Sequence, residues 1–230
     1  MKTVKKVTKA VKKAVIKRVS KVKPQDATYW LDRPLEDKDR DWGYGEENWV
    51  KDYVKSVDHP HRQVIIDLLR TFEWSYLLEV GCSAGPNLLK IREAFPDKAL
   101  YGVDINQASV DEAKAVLDRA TEVRQANIVE RIPFVDGFFD VVLADAVLMY
   151  AGPEDIDWVM DELNRVTKKA VLIVDRFTTK DSSESHVWSR NYTKLLEERG
   201  FSVTEIPITK DTWTTSVNWQ KYGKFFLALK

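Results

Sequence analysis

The sequence predicts an α/β fold in which a mostly parallel sheet of seven strands is flanked by helices. From residue 76 onward, short apolar runs alternate with segments of helical spacing, which is typical of parallel strands joined by crossover helices. The last connection, residues 209–222, has no helical pattern and is short for a crossover, so the final two strands are predicted to pair antiparallel. The predicted strands are 76–80, 99–103, 122–126, 139–144, 170–175, 201–208 and 224–229, and the predicted helices are 86–95, 108–120, 153–166 and 184–199.

Composition divides the chain into three parts. Residues 1–23 carry ten Lys or Arg residues and no acid, with valines every three or four positions, so they are predicted to form a basic amphipathic helix. Residues 24–59 are predicted to be a connector, irregular over 27–48, followed by a helical cap. Residues 60–230 form the predicted main domain, and the chain beyond the basic helix holds 26 basic and 36 acidic residues.

The charge of residues 1–23 points to a partner for this segment. Its basic side chains predict a reversible, salt-sensitive attachment to an anionic membrane surface or to another polyanion. Two alternatives stay open, namely that the helix folds back onto the acidic body or that it is merely solvated. No apolar run approaches the length of a membrane span and Cys82 is the only cysteine, so the expected location is the cytoplasm, with peripheral attachment to a membrane through this segment.

Small residues follow the first predicted strand. Residues 77–88 read LLEVGCSAGPNL, so a buried strand runs through a turn of small residues into a helix, an arrangement that suits nucleotide binding. Gly81 and Gly85 would let a ligand approach the backbone closely. The dinucleotide pattern GxGxxG is not met. The next strand ends in Asp104, whose side chain could bind both hydroxyls of a ribose or could cap the following helix.

Two stretches resemble the class I S-adenosylmethionine-dependent methyltransferases. The first resembles their motif I, an acidic residue followed by GxGxG, with Glu79 as the acid and Ser83 in place of the middle glycine. The second, residues 125–150, resembles the family's adenine-binding segment and carries its PF, FD and VL pairs. The resemblance extends over residues 60–230. It implies a Rossmann-like, seven-stranded sheet of order 3-2-1-4-5-7-6 with an N-terminal helical extension.

The resemblance also implies an activity and a set of site residues. It is closest to the small-molecule, type 11-like branch, so we expect methyl transfer from S-adenosylmethionine to a metabolite, sugar or lipid-like acceptor. Residues 144–147 read ADAV where enzymes acting on exocyclic amines carry an NPPY-type motif, which disfavours such targets. The positions that match the donor-binding residues are Glu79, Gly81, Cys82, Ser83, Gly85, Asp104, Ile105, Asn127, Ile128 and Asp145.

Candidates for a catalytic base come from strand ends and not from a motif. Asp145 and Tyr150 follow the fourth strand, and His186 follows the fifth. The spacing of the histidines and acids predicts no metal site. Tryptophans outside the core are expected either to pack the cap or to enclose a substrate.

Two other functions stay open at this point. Gly81, Ser83 and Gly85 also satisfy GxSxG, the nucleophile elbow of α/β-hydrolases, so a serine esterase is one alternative, with His186 as the only downstream histidine. The other alternative is a nucleotide-binding module without turnover.

Overall fold

The computed structural model describes residues 27–31, 33, 49–184, 187–214 and 216–230. The predicted basic helix at 1–23, most of the predicted connector and the candidate base His186 lie outside these residues.

The main sheet has seven strands, as expected. Five parallel strands are followed in space by an antiparallel pair, and the order is β3-β2-β1-β4-β5-β9-β8. Numbered among themselves, these seven strands have the predicted order 3-2-1-4-5-7-6. The strands are β1 (Tyr76–Val80), β2 (Ala99–Asp104), β3 (Thr121–Gln125), β4 (Phe139–Asp145), β5 (Thr167–Arg176), β6 (Ser182–Glu184), β7 (Val187–Ser189), β8 (Ser202–Pro207) and β9 (Gly223–Leu229), of which β6 and β7 form a separate hairpin.

Helices cover both faces of this sheet. Successive side chains of a strand point to opposite faces, and in β4 Val141 and Leu143 join one apolar core whereas Val142 and Ala144 join the other. The helices in the described part of the chain are α1 (Ala27–Leu31), α2 (Trp49–Lys55), α3 (His61–Leu69), α4 (Pro86–Ala94), α5 (Gln107–Val116), α6 (Ile156–Val166), α7 (Tyr192–Glu197) and α8 (Val217–Tyr222), with 3₁₀ turns at Ser56–Asp58 and Leu148–Tyr150.

The predicted helix 184–199 is wrong at residue 184 and over 187–190, which lie in β6, in β7 or in a bridge with the end of β5. The backbone of Arg190 exchanges hydrogen bonds with Arg176 and Thr178 at the end of β5, so this stretch is extended. The Arg190 side chain is fully buried and donates to the carbonyl oxygens of Leu148, at 3.0 Å, and Ala151. Pairing and burial therefore override the helical spacing, and α7 begins only after Asn191, whose side chain accepts a hydrogen bond from Lys194 N–H.

Other boundaries differ for local reasons. Residues 209–222 contain α8, which was not predicted; Ser216 caps it by accepting from Trp219 N–H, and Trp219 is its buried residue. Residues 27–31 are helical and not irregular. The helix predicted at 108–120 ends at Val116.

Candidate active site

The turn between β1 and α4 has a left-handed backbone that packs against a neighbouring loop. Gly81, Ser83 and Gly85 have φ of 68°, 47° and 79°. A Cβ on Gly81 would lie 2.4 Å from Cγ2 of Val147, in the loop after β4. Glycine at position 81 thus serves both the backbone angle and the close packing of two loops.

Gly81→Ala should therefore cost more stability than Gly200→Ala, because the two glycines share a left-handed backbone and differ in what surrounds them. Gly200 also has a left-handed φ, 84°, but a Cβ there meets no atom within 4 Å. We expect Gly81→Ala to lower the free energy of unfolding by about 1–3 kcal/mol more than Gly200→Ala, measured by chemical denaturation, because of the overlap with Val147. Val147→Ala should recover part of the difference in the double variant, and equal losses at the two glycines would contradict this.

Three polar side chains meet at the carboxyl ends of β1 and β4. The Asn87 amide donates from Nδ2 to Oε1 of Glu79, at 2.7 Å, and to Oδ2 of Asp145, at 2.9 Å. All three residues are buried. In the described part of the chain, Glu79 Oε2, Asn87 Oδ1 and Asp145 Oδ1 are buried and accept no hydrogen bond. We call Glu79, Asn87 and Asp145 the acid–amide cluster. Its three oxygens without a hydrogen-bond partner among the described residues are suited to a positively charged group that donates hydrogen bonds.

The pKa values of the two acids of the cluster shift in opposite directions. Burial raises the pKa of Glu79 well above its usual value, against the hydrogen bond from Asn87, and the charge of Asp145 adds to the rise. Burial alone would raise the pKa of Asp145 as well, but His61 and the charge of Arg62 hold it below its usual value. The pKa values of the two carboxyl groups are thus shifted in opposite directions, and Glu79 is the acid that takes up a proton more readily.

Asp104 links the β1–α4 turn to the segment after β2. Its Oδ2 accepts from Ser83 N–H and its Oδ1 from Asn106 N–H, both at 2.8 Å. It does not cap α5, because Asn106 does so by accepting from Ser109 N–H. Each carboxylate oxygen of Asp104 keeps a second lone pair for a hydroxyl group.

The remaining predicted donor-binding residues lie around this edge of the sheet. Ala126 N–H donates to the Asp104 carbonyl, which brings the segment of Asn127 and Ile128 beside β2. Both side chains are half-buried, as is Ile105. The Cys82 side chain is buried in the core, where a Cβ on Gly102 would lie 2.8 Å from its Sγ, so only the backbone of Cys82 belongs to the turn.

Aromatic side chains from both ends of the described chain flank the site. Trp30 of α1 packs edge-on against Tyr150, with ring centroids 5.1 Å apart. The Asn106 side chain donates to the Trp30 carbonyl at 2.9 Å, which holds α1 next to Asp104. Trp213, near the C-terminal end, packs on the ring of His61 and stacks on Trp219. The ring centroids are 4.7 and 4.1 Å apart, respectively.

The candidate catalytic bases Asp145 and Tyr150 differ in whether they can accept a proton. Asp145 lies in the acid–amide cluster, whereas burial raises the pKa of Tyr150 well above its usual value, so this phenol stays protonated near neutral pH. Sequence reasoning missed His59, His61 and Asn87, because it weighed His59 and His61 only for metal spacing and did not single out Asn87. The Asp-His-Pro-His sequence at residues 58–61, where α3 begins, was the available signal.

A serine esterase would need a histidine hydrogen-bonded to Ser83, and the described part of the chain shows no such contact. Ser83 Oγ has no hydrogen-bond partner there, so none of the described histidines activates it. Within the same residues, no group of three or more His, Cys, Asp or Glu side chains is placed to hold a metal ion. None of the described helices is long and apolar enough to span a membrane.

Comparison with known proteins agrees with this geometry. Residues 78–174 match the family described as a methyltransferase domain. The chain is 27% identical over 126 residues to the probable methyltransferase ltbC of Aspergillus luteorubrus, covering 50% of this chain and 43% of that protein. It is 28% identical over 132 residues to the U6 snRNA methylphosphate capping enzyme Amus of Drosophila melanogaster, covering 55% and 43%. The chain thus spans less than half the length of these two curated relatives.

Solved structures share the fold. Magnesium protoporphyrin IX methyltransferase (ChlM) from Synechocystis PCC 6803, with bound SAH, superimposes with a TM-score of 0.64 at 14% identity, covering 89% of this chain and 97% of that one. The strand order, the glycine turn and the family match therefore agree. Residues 78–174 match the methyltransferase-domain family, and the described residues have the Rossmann-like fold of a solved methyltransferase.

Proposed function

We propose that this chain transfers the methyl group of S-adenosylmethionine to a small-molecule acceptor. The observation that carries the proposal is the acid–amide cluster, with three buried acceptor oxygens that no described residue supplies with a hydrogen. The α-ammonium group of the donor would supply those hydrogens. Asp104 would bind the ribose hydroxyls, and the Gly81–Gly85 turn would admit the donor close to the backbone.

When bound, the donor supplies an electrophilic methyl group on a sulfonium sulfur. The chain contributes alignment and a site flanked by rings, and aromatic faces favour a cationic sulfonium. Rings from separate segments lie near the strand ends: Trp30 packs on Tyr150 after β4, and Trp213 packs on His61, which contacts Asp145. This supports a small acceptor over a folded polymer.

Donor binding should release a proton wherever Glu79 is protonated in the free protein, because an ammonium group beside Glu79 would favour the ionised carboxylate. The raised pKa of Glu79 makes affinity rise with pH, by at most about tenfold per unit. The charges that face Glu79 are those of Asp145, Asp104 and Arg62. S-adenosylhomocysteine titrated calorimetrically between about pH 5.5 and 7, below the usual pKa of an α-amino group, measures this.

Glu79→Gln is the matched control, since it keeps the shape and cannot ionise. We expect weaker binding and loss of most of the pH dependence in this variant. Wild-type protein that fails to bind S-adenosylhomocysteine would contradict the proposed function. If Glu79→Gln binds S-adenosylhomocysteine with an unchanged dependence on pH, Glu79 does not release the proton, but the proposed function stands.

Turnover separates the enzyme from a binding module. The methyl-labelled donor is incubated with the protein and a cell extract, which is then divided into a small-molecule filtrate and a macromolecular fraction. We expect S-adenosylhomocysteine to form and label to appear in the filtrate. Label confined to macromolecules would contradict the small-molecule acceptor, and donor binding without product would favour the module.

A further inference from the structure

Three side chains form a hydrogen-bonded chain that begins in the acid–amide cluster. His61 Nε2 lies 2.9 Å from Asp145 Oδ2, and both side chains are almost completely buried. His61 Nδ1 lies 2.5 Å from His59 Nδ1. At the far end, His59 Nε2 is buried and has no hydrogen-bond partner among the described residues.

Local backbone geometry brings the two imidazoles together. His59 has an extended backbone, φ −62° and ψ 131°, as favoured before Pro60, and α3 begins at His61. Trp213 packs on both rings, with centroid distances of 4.8 and 4.7 Å. The aromatic contact and the hydrogen bonds therefore hold both rings in place.

The hydrogen bonds among Asp145, His61 and His59 determine which ring nitrogen of His59 carries a proton. An ionised Asp145 can only accept, so His61 carries its proton on Nε2 and, being neutral, has a bare Nδ1. The short Nδ1–Nδ1 contact needs one hydrogen, which His59 must provide from its own Nδ1. A neutral His59 is then left with a lone pair on Nε2, the nitrogen without a partner.

The electrostatics agree with this assignment. Burial is the main cause that lowers the pKa of His59 to about 4; the charge that His61 carries when protonated and the charge of Arg62 act in the same direction, while Asp145 opposes the change. Burial likewise lowers the pKa of His61, against the charge and hydrogen bond of Asp145. Both rings are thus neutral near pH 7. A proton taken up at His59 Nε2 can be shared through the Nδ1 contact with His61, beside the negative charge of Asp145.

We propose, on the basis of the proposed function, that His59 is the general base for a methyl acceptor that reacts through a hydroxyl group. The acceptor's O–H bond breaks and its proton goes to His59 Nε2. The oxygen forms the new bond to the methyl carbon, and the electron pair of the broken S–C bond stays on sulfur. The sulfonium charge is replaced by the charge of the protonated His59–His61 pair, which Asp145 stabilises.

The surroundings favour a hydroxyl over other nucleophiles. A carboxylate acceptor is already ionised near neutral pH and would need no base. An ammonium acceptor would add a second positive charge near the sulfonium. A neutral hydroxyl needs a base and can donate its one hydrogen bond to Nε2. His59 is thus the catalytic residue, whereas His61 and Asp145 position it.

The tautomer of each histidine can be measured in the free protein, without S-adenosylmethionine or a methyl acceptor. Nitrogen-15 NMR of the three histidines, assigned with single His→Gln variants, should show His59 protonated on Nδ1 and His61 on Nε2 at about pH 7. His61→Phe removes the acceptor of the His59 Nδ1–H, so His59 should move its proton to Nε2. Wild-type His59 protonated on Nε2 would overturn the proposal, because that nitrogen could not accept a proton.

Kinetics test the role itself, with the small-molecule filtrate of a cell extract as acceptor and S-adenosylhomocysteine release as the signal. His59→Gln should lower the rate by about 10²- to 10⁴-fold with donor affinity unchanged, and its remaining rate should rise with pH as the hydroxyl ionises by itself. Asp58→Asn is the control, since Asp58 is an exposed neighbour that pairs with Lys90. Equal rates in His59→Gln and wild type would overturn the proposal, whereas wild-type protein that does not bind the donor would instead contradict the proposed function.

Discussion

Arg190→Leu is expected to lower the free energy of unfolding by about 3–5 kcal/mol. Its guanidinium is fully buried and satisfies the carbonyl oxygens of Leu148 and Ala151, on either side of the turn that carries Tyr150. Leucine would leave both carbonyls buried without a donor, at about 1–3 kcal/mol each, and would also remove a positive charge near the buried Asp175. Chemical denaturation measures the loss.

Arg70→Leu is the matched control for this change. Arg70 forms a surface ion pair with Asp67 in which both side chains are more than half exposed, so its loss should cost at most about 1 kcal/mol. If the two variants lose similar stability, the buried contacts of Arg190 do not stabilise the fold as described. Because the Leu148–Ala151 turn follows β4, we also expect Arg190→Leu to weaken donor binding.

Asp104→Ala is expected to weaken binding of S-adenosylhomocysteine by about 1.5–3 kcal/mol, roughly 10- to 150-fold. The carboxylate would otherwise accept hydrogen bonds from the ribose hydroxyls. Asp104 also accepts from Ser83 and Asn106 N–H, so the same variant should lose about 1–3 kcal/mol of stability. Calorimetric titration and chemical denaturation measure the two effects separately.

A ligand without ribose hydroxyls separates the direct contact from damage to the turn. The dideoxy analogue of S-adenosylhomocysteine should bind wild-type protein and Asp104→Ala with more similar affinities than the parent ligand does. Asp111→Ala, at an exposed acid that accepts a hydrogen bond from the Gln107 side chain, should change neither affinity. An equal loss for both ligands would place the effect of Asp104 in the shape of the turn and not in the ribose contact.

Local sequence patterns determined the fold class and part of the site. Alternating apolar runs and helical segments predicted the seven strands, and β1 spans the predicted residues. The glycines and the acid at the end of β2 follow their strands directly, so Gly81, Gly85 and Asp104 could be predicted from neighbouring residues alone. The missed helix α8 has only six residues and one buried side chain, too little for a period to show.

Tertiary structure decided the contacts between residues far apart in the chain. His61 and Asp145 are 84 positions apart and Asn87 and Asp145 are 58, and they meet because β1 and β4 are adjacent and end at the same edge of the sheet. Arg190 lies in a segment of helical spacing, yet it is extended because its backbone pairs with the end of β5 and its side chain is buried under the β4 loop. Periodicity reports which face of an element is apolar, whereas hydrogen bonding and burial between distant elements determine which polar groups meet and how their protons are held.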